Sequence, residues 1–283
     1  MVDIIKKDPS GIAWRDRLMP TSTVSHARLQ FFQPTYFPKY CERAITTTYG
    51  DGIVKGKLGM SHALLLELIN FHAIRKHVGD DETLHVLVDL HDIRSGMSRD
   101  GGRYSREGLT QIAADLKMTA IIIPHPSLGE DAIDGILDRL VPTRVTRTGP
   151  FGDRVLWRAQ LTPTYRAILE NDVPLHYDPT PIGRLRNGVS AAVARWVLTQ
   201  RDTPRGGWHL NTILQAVGAP IDGAAGRKRR YETRADADGL MAAGIEVRGD
   251  RIFKTVLSTP AGVPSTPAAF SLRPQAFPLR PRR

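Results

Sequence analysis

The chain has 283 residues, of which 41% are hydrophobic and 24% charged, a composition typical of globular protein with room for two domains. Lysine and arginine outnumber aspartate and glutamate by 39 to 29, and the net charge of +10 favours an anionic partner. The single cysteine, Cys41, excludes an internal disulfide and favours a reducing compartment. No segment is apolar enough for a signal peptide or a membrane span, so we expect a cytoplasmic protein.

The first third of the chain predicts an arm followed by a hairpin. Residues 1–42 combine proline, aromatic and basic residues without clear periodicity, and we interpret them as an N-terminal arm. Two β-branched runs, 44–49 and 53–58, lie on either side of a glycine-containing turn and predict a hairpin. A helix capped by Ser61 is then expected to continue to about Lys76.

A strand over 84–89 is predicted next, followed by the remaining elements of a first domain. Ser105 is a suitable N-cap for a helix ending near Lys117, and apolar residues at helical spacing predict another helix over 130–140. Two strands around a glycine turn follow, at 143–147 and 154–159. Three helices closed by a hairpin is the order of a winged helix, which we assign to residues 43–175.

The same order returns in the second half, although the two halves share no close sequence repeat. Residues 176–258 are predicted to contain helices within 182–201, a short strand at 208–210, helices over 212–217 and 227–243, and wing strands at 245–248 and 251–256. The predicted fold class is therefore α+β, with two tandem winged-helix domains, each of three helices and a β-hairpin wing. Residues 259–283, rich in proline and arginine, predict a disordered basic tail.

The sequence lacks the common catalytic motifs. The glycines between Gly50 and Lys57 have the wrong spacing for a phosphate-binding loop, and a hairpin explains them better. His85, Asp89, His91 and Asp92 could hold a metal if the chain bends after Leu90, but a strand followed by a loop explains them more simply. We therefore expect no catalytic centre, no metal and no cofactor, with a metal-dependent nickase or nuclease as the enzyme alternative.

The strongest local signal is the basic run 227–234, which we place at the start of the third helix of the second domain. In helix-turn-helix proteins this helix enters the major groove of DNA. A helical wheel places Arg227, Lys228 and Tyr231 opposite the core face, with Arg229 and Arg230 nearer to it. Positive charge in a first helical turn opposes the helix dipole, so we expect phosphates to neutralise it; a solvated basic face is the alternative.

The first domain is expected to contact DNA differently. Its predicted third helix carries Glu130, Asp131, Asp134 and Asp138, which would repel phosphates, so we expect its hairpin to touch DNA or the domain to serve in self-association. The second domain is expected to read the base sequence. The predicted DNA-binding residues are Arg227, Lys228, Arg229, Arg230, Tyr231 and Arg234 of the basic helix, Arg248, Arg251 and Lys254 of the second wing, and Arg144, Arg147 and Arg154 of the first wing.

Several of these segments together resemble a known family. The apolar run 190–198, the basic residues 227–230 and the stretch 239–247 resemble the second winged helix of iteron-binding plasmid replication initiators of the TrfA and IncQ RepC type. Residues 27–29 and 104–116 resemble the first winged helix of that family. The resemblance implies binding to repeated double-stranded origin sites, work with a host initiator and a replicative helicase, and a homodimer in addition to a DNA-binding monomer.

A winged-helix transcriptional repressor would show the same signals for DNA contact. Repressors usually need one winged unit per protomer together with a ligand-binding or dimerisation element. Two units in one chain therefore favour initiation over repression.

Overall fold

The computed structural model describes residues 19–28, 31–47, 50–99, 103–125, 129–149 and 152–255, and these form a mixed α+β fold. The elements of the first half are, in order, β1 (Ser22–Thr23), α1 (Val24–Arg28), β2 (Cys41–Thr47), β3 (Gly50–Gly56), α2 (Met60–Phe71), β4 (Arg75–Val78), β5 (Leu84–Val88), α3 (Leu90–Gly96), α4 (Arg106–Lys117), β6 (Ala120–His125), β7 (Gly129–Asp134), β8 (Leu137–Gly149), β9 (Gly152–Leu161) and α5 (Pro163–Asn171).

The second half contains fewer strands and more helix. Its elements are β10 (Pro174–Leu175), α6 (Thr180–Gly183), α7 (Gly188–Leu198), β11 (Trp208–His209), α8 (Leu210–Ala216), α9 (Gly223–Ala235), α10 (Ala237–Ala242), β12 (Ile245–Arg248) and β13 (Arg251–Lys254). None of the helices in the described ranges is long and apolar enough to cross a membrane. The predicted tail, 259–283, and residues 1–18 of the predicted arm lie outside the described residues.

Apart from β1, which pairs with β10, the strands of the first half form two antiparallel four-stranded sheets. One has the order β4-β5-β9-β8, so that the strand between helices α2 and α3 lies beside the long hairpin β8–β9. The other has the order β2-β3-β6-β7 and joins the predicted hairpin of residues 44–58 to two strands that follow α4. Each sheet is therefore assembled from segments that are distant in sequence.

The predicted helix over 130–140 is wrong. Residues 129–134 form β7, which pairs with β6 so that Ile133 lies opposite Ile122, and β8 begins at Leu137. Between the two strands the backbone N–H of Gly135 donates to the Asp134 side chain at 2.8 Å, as in a turn. Apolar residues at helical spacing are here outweighed by pairing with strands that the sequence pattern cannot reveal.

The first predicted helix has the right place but different ends. It begins at Met60 after Gly59, instead of being capped by Ser61, and it ends at Phe71 instead of about Lys76. Arg75 and Lys76 lie in β4, where they pair with Leu87 and Val86. Because Arg75 and Lys76 pair with β5, they belong to a strand, and the helix ends before them.

Other predicted elements are confirmed. Strand β5 matches the prediction over 84–89, and Ser105 caps α4 by accepting a hydrogen bond from the Gly108 N–H at 3.0 Å. The predicted wing hairpins of both halves are present as β8–β9 and β12–β13, joined through register pairs such as Arg147 with Arg154. Short turns and β-branched strand residues made these hairpins predictable.

Apart from strands β4, β6 and β7, which have no counterparts in the second half, the two halves share one order of elements. In the first half the order is α2, β5, α3, α4 and the hairpin β8–β9; in the second it is α7, β11, α8, α9–α10 and the hairpin β12–β13. The strand between the first two helices pairs in each case with the second hairpin strand, which gives the orders β5-β9-β8 and β11-β13-β12. In this common order α4, and not a helix over 130–140, corresponds to α9.

The two halves meet around a buried ion pair. Glu67 of α2 is fully buried, and its Oε1 accepts hydrogen bonds from the Arg195 Nε of α7 at 2.7 Å and from the Tyr177 hydroxyl at 2.5 Å. Burial raises the pKa of the Glu67 carboxyl, whereas the positive charge of Arg195 opposes that rise. The pair joins the first helix of one half to the first helix of the other.

Part of the predicted arm packs into this region. Phe31 and Phe32 are 2% and 4% exposed, and His26 of α1 stacks edge-on against Phe32. Most of the buried hydrophobic residues form one cluster that continues from Met19 to Ile252 and includes residues of both halves, and Leu87, Val145 and Leu156 form a second, smaller cluster. The predicted domain boundaries at 42, 175 and 258 stay predictions.

Glu67→Met should lower the free energy of unfolding by about 3–5 kcal/mol, because it leaves the Arg195 charge buried without its partner. The double variant Glu67→Met/Arg195→Met should recover part of this loss, since it removes both charges and keeps the volume filled but leaves the Tyr177 hydroxyl without its acceptor. Urea unfolding followed by circular dichroism measures both. A single variant within about 1 kcal/mol of the parent would contradict a buried pair.

His26 should make the fold sensitive to mild acid. Burial, and then the neighbouring Arg195 charge, hold its pKa well below the usual value of 6.5, so the folded chain keeps it neutral. The unfolded chain takes up the proton first, and stability should therefore fall as the pH drops below about 6.5, by at most about 1.4 kcal/mol per pH unit from this group. Between pH 7 and 5, His26→Gln should show a shallower decline; superimposable curves would contradict this role.

Candidate nucleic-acid interface

Helix α9 is held against α7 by its C-terminal end. The Asp236 carboxylate is 6% exposed and accepts the backbone N–H groups of Arg186 and Asn187 at 3.3 and 2.9 Å, just before α7 begins. Thr233 is fully buried on the same side. A carboxylate near a helix N-terminus is favourable, so the contact of Asp236 with the start of α7 fixes one side of α9. The opposite side of α9 is exposed to solvent.

The helix begins earlier than predicted. It starts at Gly223 instead of Arg227 and is interrupted at Asp236, where α10 follows. Gly226 packs so tightly that an added Cβ would lie 2.1 Å from the Ile221 carbonyl oxygen, which fixes the turn entering α9. The basic run therefore lies beyond the first turn, and the predicted conflict with the helix dipole, which acts within that turn, is wrong.

The exposed side of α9 carries the cations that are free to bind a ligand. We call Ala224, Arg227, Lys228 and Tyr231 the outward stripe; all four are exposed, Tyr231 by 72%. The predicted helical wheel is confirmed here, since Arg229 and Arg230 are only partly exposed. The Arg227 guanidinium has no ion-pair partner among the residues that the structure describes, and Lys228 lies 3.9 Å from Glu232. The stripe combines positive charge with an aromatic ring.

The other cations of the basic run are engaged within the protein. Arg230 donates to the Asn211 side chain at 3.1 Å and to the Ile221 carbonyl at 2.8 Å, which ties α9 to α8. Arg229 pairs with Glu232 at 2.8 Å. Arg234 contacts Asp250 and the Gly249 carbonyl at the tip of the hairpin β12–β13. Arg230 therefore holds α9 against α8, and Arg234 holds it against the hairpin β12–β13.

The three residues of the second hairpin that were predicted to bind DNA differ in how exposed they are and in their contacts within the protein. Arg251 is exposed, and Arg248 pairs with Glu246 at 2.7 Å while stacking over Phe253. Lys254 instead donates to the carbonyl oxygens of Leu198 and Gln200 at 3.4 and 2.8 Å, and burial lowers its pKa. Lys254 therefore satisfies the C-terminal end of α7.

In the first half the predicted arginines lie on the long hairpin β8–β9. Arg144 is exposed, whereas Arg154 pairs with Asp89 and Arg147 with Asp92, both at 3.3 Å. Asp89 also caps α3 by accepting the His91 N–H at 2.9 Å. Arg147 and Arg154 can bind a phosphate only if these ion pairs with Asp92 and Asp89 break.

The first half presents a second helix that sequence reasoning did not connect with nucleic acid. Because residues 130–140 form strands, the acidic third helix that argued against groove insertion does not exist. Its topological place is taken by α4, whose apolar side is buried through Leu109, Ile112 and Leu116. The exposed residues of α4 carry both signs of charge and neutral polar groups; they are Arg106, Glu107, Thr110, Gln111, Ala114 and Lys117. The signal was the position of α4 after the short helix α3 and before the hairpin β8–β9, with β6 and β7 in between.

The residues considered as a metal site serve structural contacts. Asp89 and Asp92 are the partners of arginines, and the His85 Nδ1 lies 3.3 Å from the Gln160 side chain. Among the described residues no group of three or more histidine, cysteine, aspartate or glutamate side chains is placed to hold a metal ion.

Comparisons with known proteins gave few matches. No protein-family model and no curated protein sequence matches the chain. Two crystal structures of domains 2 and 3 of RctB are similar to this chain at 13% identity. One gives a TM-score of 0.48 over 77% of this chain and 86% of that chain, and the other 0.42 over 80% and 84%. At these values the likeness carries no conclusion about function.

Arg227→Ala and Arg230→Ala should separate ligand binding from support. Arg227→Ala should weaken binding to duplex DNA, by about 1–3 kcal/mol if the side chain reads a base, and leave the unfolding midpoint unchanged. Arg230→Ala should lower the free energy of unfolding by about 1–3 kcal/mol, because it leaves the Asn211 and Ile221 acceptors unpaired. Fluorescence anisotropy and urea unfolding measure the two effects. Reversed outcomes would contradict the assignment.

Proposed function

We propose that the chain is a replication initiator that binds repeated double-stranded DNA sites through two winged-helix units. The observation that carries the proposal is the outward stripe of α9, a basic and aromatic surface on the helix that would enter the major groove. The order helix, strand, helix, helix and hairpin around it is the arrangement in which such a helix is presented to DNA.

The second hairpin supports the same orientation. Arg234 of α9 contacts Asp250 and Gly249 at the hairpin tip, so the hairpin is fixed beside the exposed side of the helix. Arg248 and Arg251 are exposed on this hairpin. A helix in the major groove with a basic wing beside it would contact base edges and flanking phosphates together.

The repeated topology extends the proposal to the first half. Helix α4 corresponds to α9 and exposes Thr110 and Gln111, whose side chains can hydrogen-bond base edges, with Arg106 at its N-terminal end. Arg144 lies exposed on the hairpin that would form its wing. Two units of this kind would cover a longer site than one, which suits an initiator that must recognise an origin among many competing sequences.

The initiator role also rests on the sequence resemblance and on the presence of two units. In this role the protein would bind origin repeats without chemistry of its own and act with a host initiator and a replicative helicase. A homodimer is part of the same proposal. A repressor would use the same DNA contacts, and the genomic position of the sites distinguishes the two roles.

Selection of bound sequences from a random duplex pool tests the function directly. We expect one consensus that recurs as direct repeats spaced near a helical turn, in DNA that supports plasmid maintenance when the chain is supplied in trans. The affinity should fall by about 0.9 log units per log unit of salt for each phosphate contacted. Arg166→Ala, on helix α5 outside the proposed interface, is the control for loss of a partly exposed, ion-paired arginine.

Other outcomes would contradict parts of the proposal. No enriched consensus would contradict sequence-specific binding, and a single consensus confined to promoters would favour a repressor. Nicking of supercoiled DNA in the presence of manganese would favour an enzyme.

A further inference from the structure

The two repeated units contact each other through corresponding positions. Counted from the first residue of each helix, Glu67 is the eighth residue of α2 and Arg195 the eighth of α7. These are the first helices of the common topology, and their charged groups lie 2.6 Å apart with side-chain exposures of 0% and 3%. Direct contact between equivalent residues characterises an isologous interface, in which two copies are related by a two-fold axis. One chain thus resembles a dimer fused about this pair.

A second contact between the halves leaves almost no free space. Gly183, at the end of α6, lies so near Gly96, at the end of α3, that an added Cβ would be 2.3 Å from the Gly96 carbonyl oxygen. The same Cβ would lie 3.0 Å from the Leu64 side chain of α2. The helices of the two halves are therefore in backbone contact at this point, and any larger side chain must push them apart.

The ion pair makes this contact directional. Both Nε and Nη2 of Arg195 approach the same Glu67 oxygen, at 2.7 and 2.6 Å, and the Tyr177 hydroxyl donates to that oxygen from the segment connecting the halves. Apolar side chains can pack in several alternative arrangements, whereas a buried carboxylate must meet its donors. Buried polar pairs in other proteins are known to fix the register of packed helices at some cost in stability.

We propose that Glu67 and Arg195 determine the spacing of the DNA sequence that the chain recognises. This inference rests on the proposed function, in which α4 and α9 each read a half-site. We call the contacts Glu67–Arg195 and Gly183–Gly96 the joint; the joint sets the distance and angle between the two helices. The pair contacts no DNA itself. It makes the two reading helices one rigid unit, so that only half-sites with one separation are bound at the same time.

The test measures the affinity of the full chain for duplexes in which 1–6 bp are inserted between two half-sites taken from the selected consensus. For the parent protein an insertion of about 5 bp, half a helical turn, should reduce affinity to that for a single half-site, a loss of about 100-fold. Glu67→Met/Arg195→Met should bind each half-site as the parent does but lose only about tenfold on insertion. Arg166→Ala, which breaks an ion pair within α5, should keep the parent profile.

Gly183→Ala provides a second disturbance of the joint that leaves the ion pair unchanged. Because its Cβ must displace the Gly96 backbone or the Leu64 side chain, its preferred spacing should shift or broaden while its affinity for single half-sites stays the same. If either variant folds and retains the parent spacing profile, the inference is overturned. If the parent binds a specific sequence but tolerates every insertion, the inference fails while DNA recognition by α9 stands; if it selects no sequence, the proposed function fails first.

Discussion

A carboxylate and a guanidinium, shielded from solvent at side-chain exposures of 0% and 3%, meet where α2 of the first half packs on α7 of the second. Glu67 and Arg195 stand in mostly apolar helices, each the first helix of the shared element order. Removing either charge alone leaves the other unpaired in the core, which is costly, whereas replacing both costs little. A pair of this kind adds little stability. Its physical effect is to select one arrangement of the two halves.

The arginines of the second unit divide between those that hold elements together and those that are left exposed. Arg230 and Arg234 connect α9 to α8 and to the hairpin tip, and they use hydrogen bonds that a mobile surface side chain would lack. Arg227 and Lys228 project from the side of the helix that these contacts leave exposed. The cations of the basic run thus have two roles. Arg230 and Arg234 hold α9 in place, and this leaves Arg227 and Lys228 on its exposed side.

Local patterns in the sequence predicted much of the fold. Ser105 and its helix, the strand at 84–88 and both wing hairpins follow from caps, turns and alternation, which act over a few residues. The helix predicted over 130–140 failed because β7 and β8 pair with partners elsewhere in the chain. The early start of α9 was missed because Gly223, Ala224 and Ala225 carry no apolar periodicity. The charged and aromatic residues of the outward stripe could be predicted from the helical wheel. The contacts of Arg230 with Asn211 and Ile221 depend on tertiary packing, which a helical wheel does not contain.

The buried pair itself could not have been derived from pattern alone. A charge within each apolar helix, Glu67 after three leucines and Arg195 among alanine and valine, signalled that each needs a partner. The pairing joins residues 128 apart and requires the packing of α2 on α7. The shared order of elements identifies α4 as the counterpart of α9.

The central claim is that one chain places two helices on one duplex, and site-directed cleavage of DNA tests it most directly. A DNA-cleaving iron chelate would be attached to a single cysteine introduced by Ala224→Cys on α9 or by Ala114→Cys on α4, with Cys41→Ser removing the native thiol. The account predicts one cluster of cuts from each position, in separate half-sites of the same selected duplex. Cuts from position 224 alone, or scattered cuts from both positions, would contradict it.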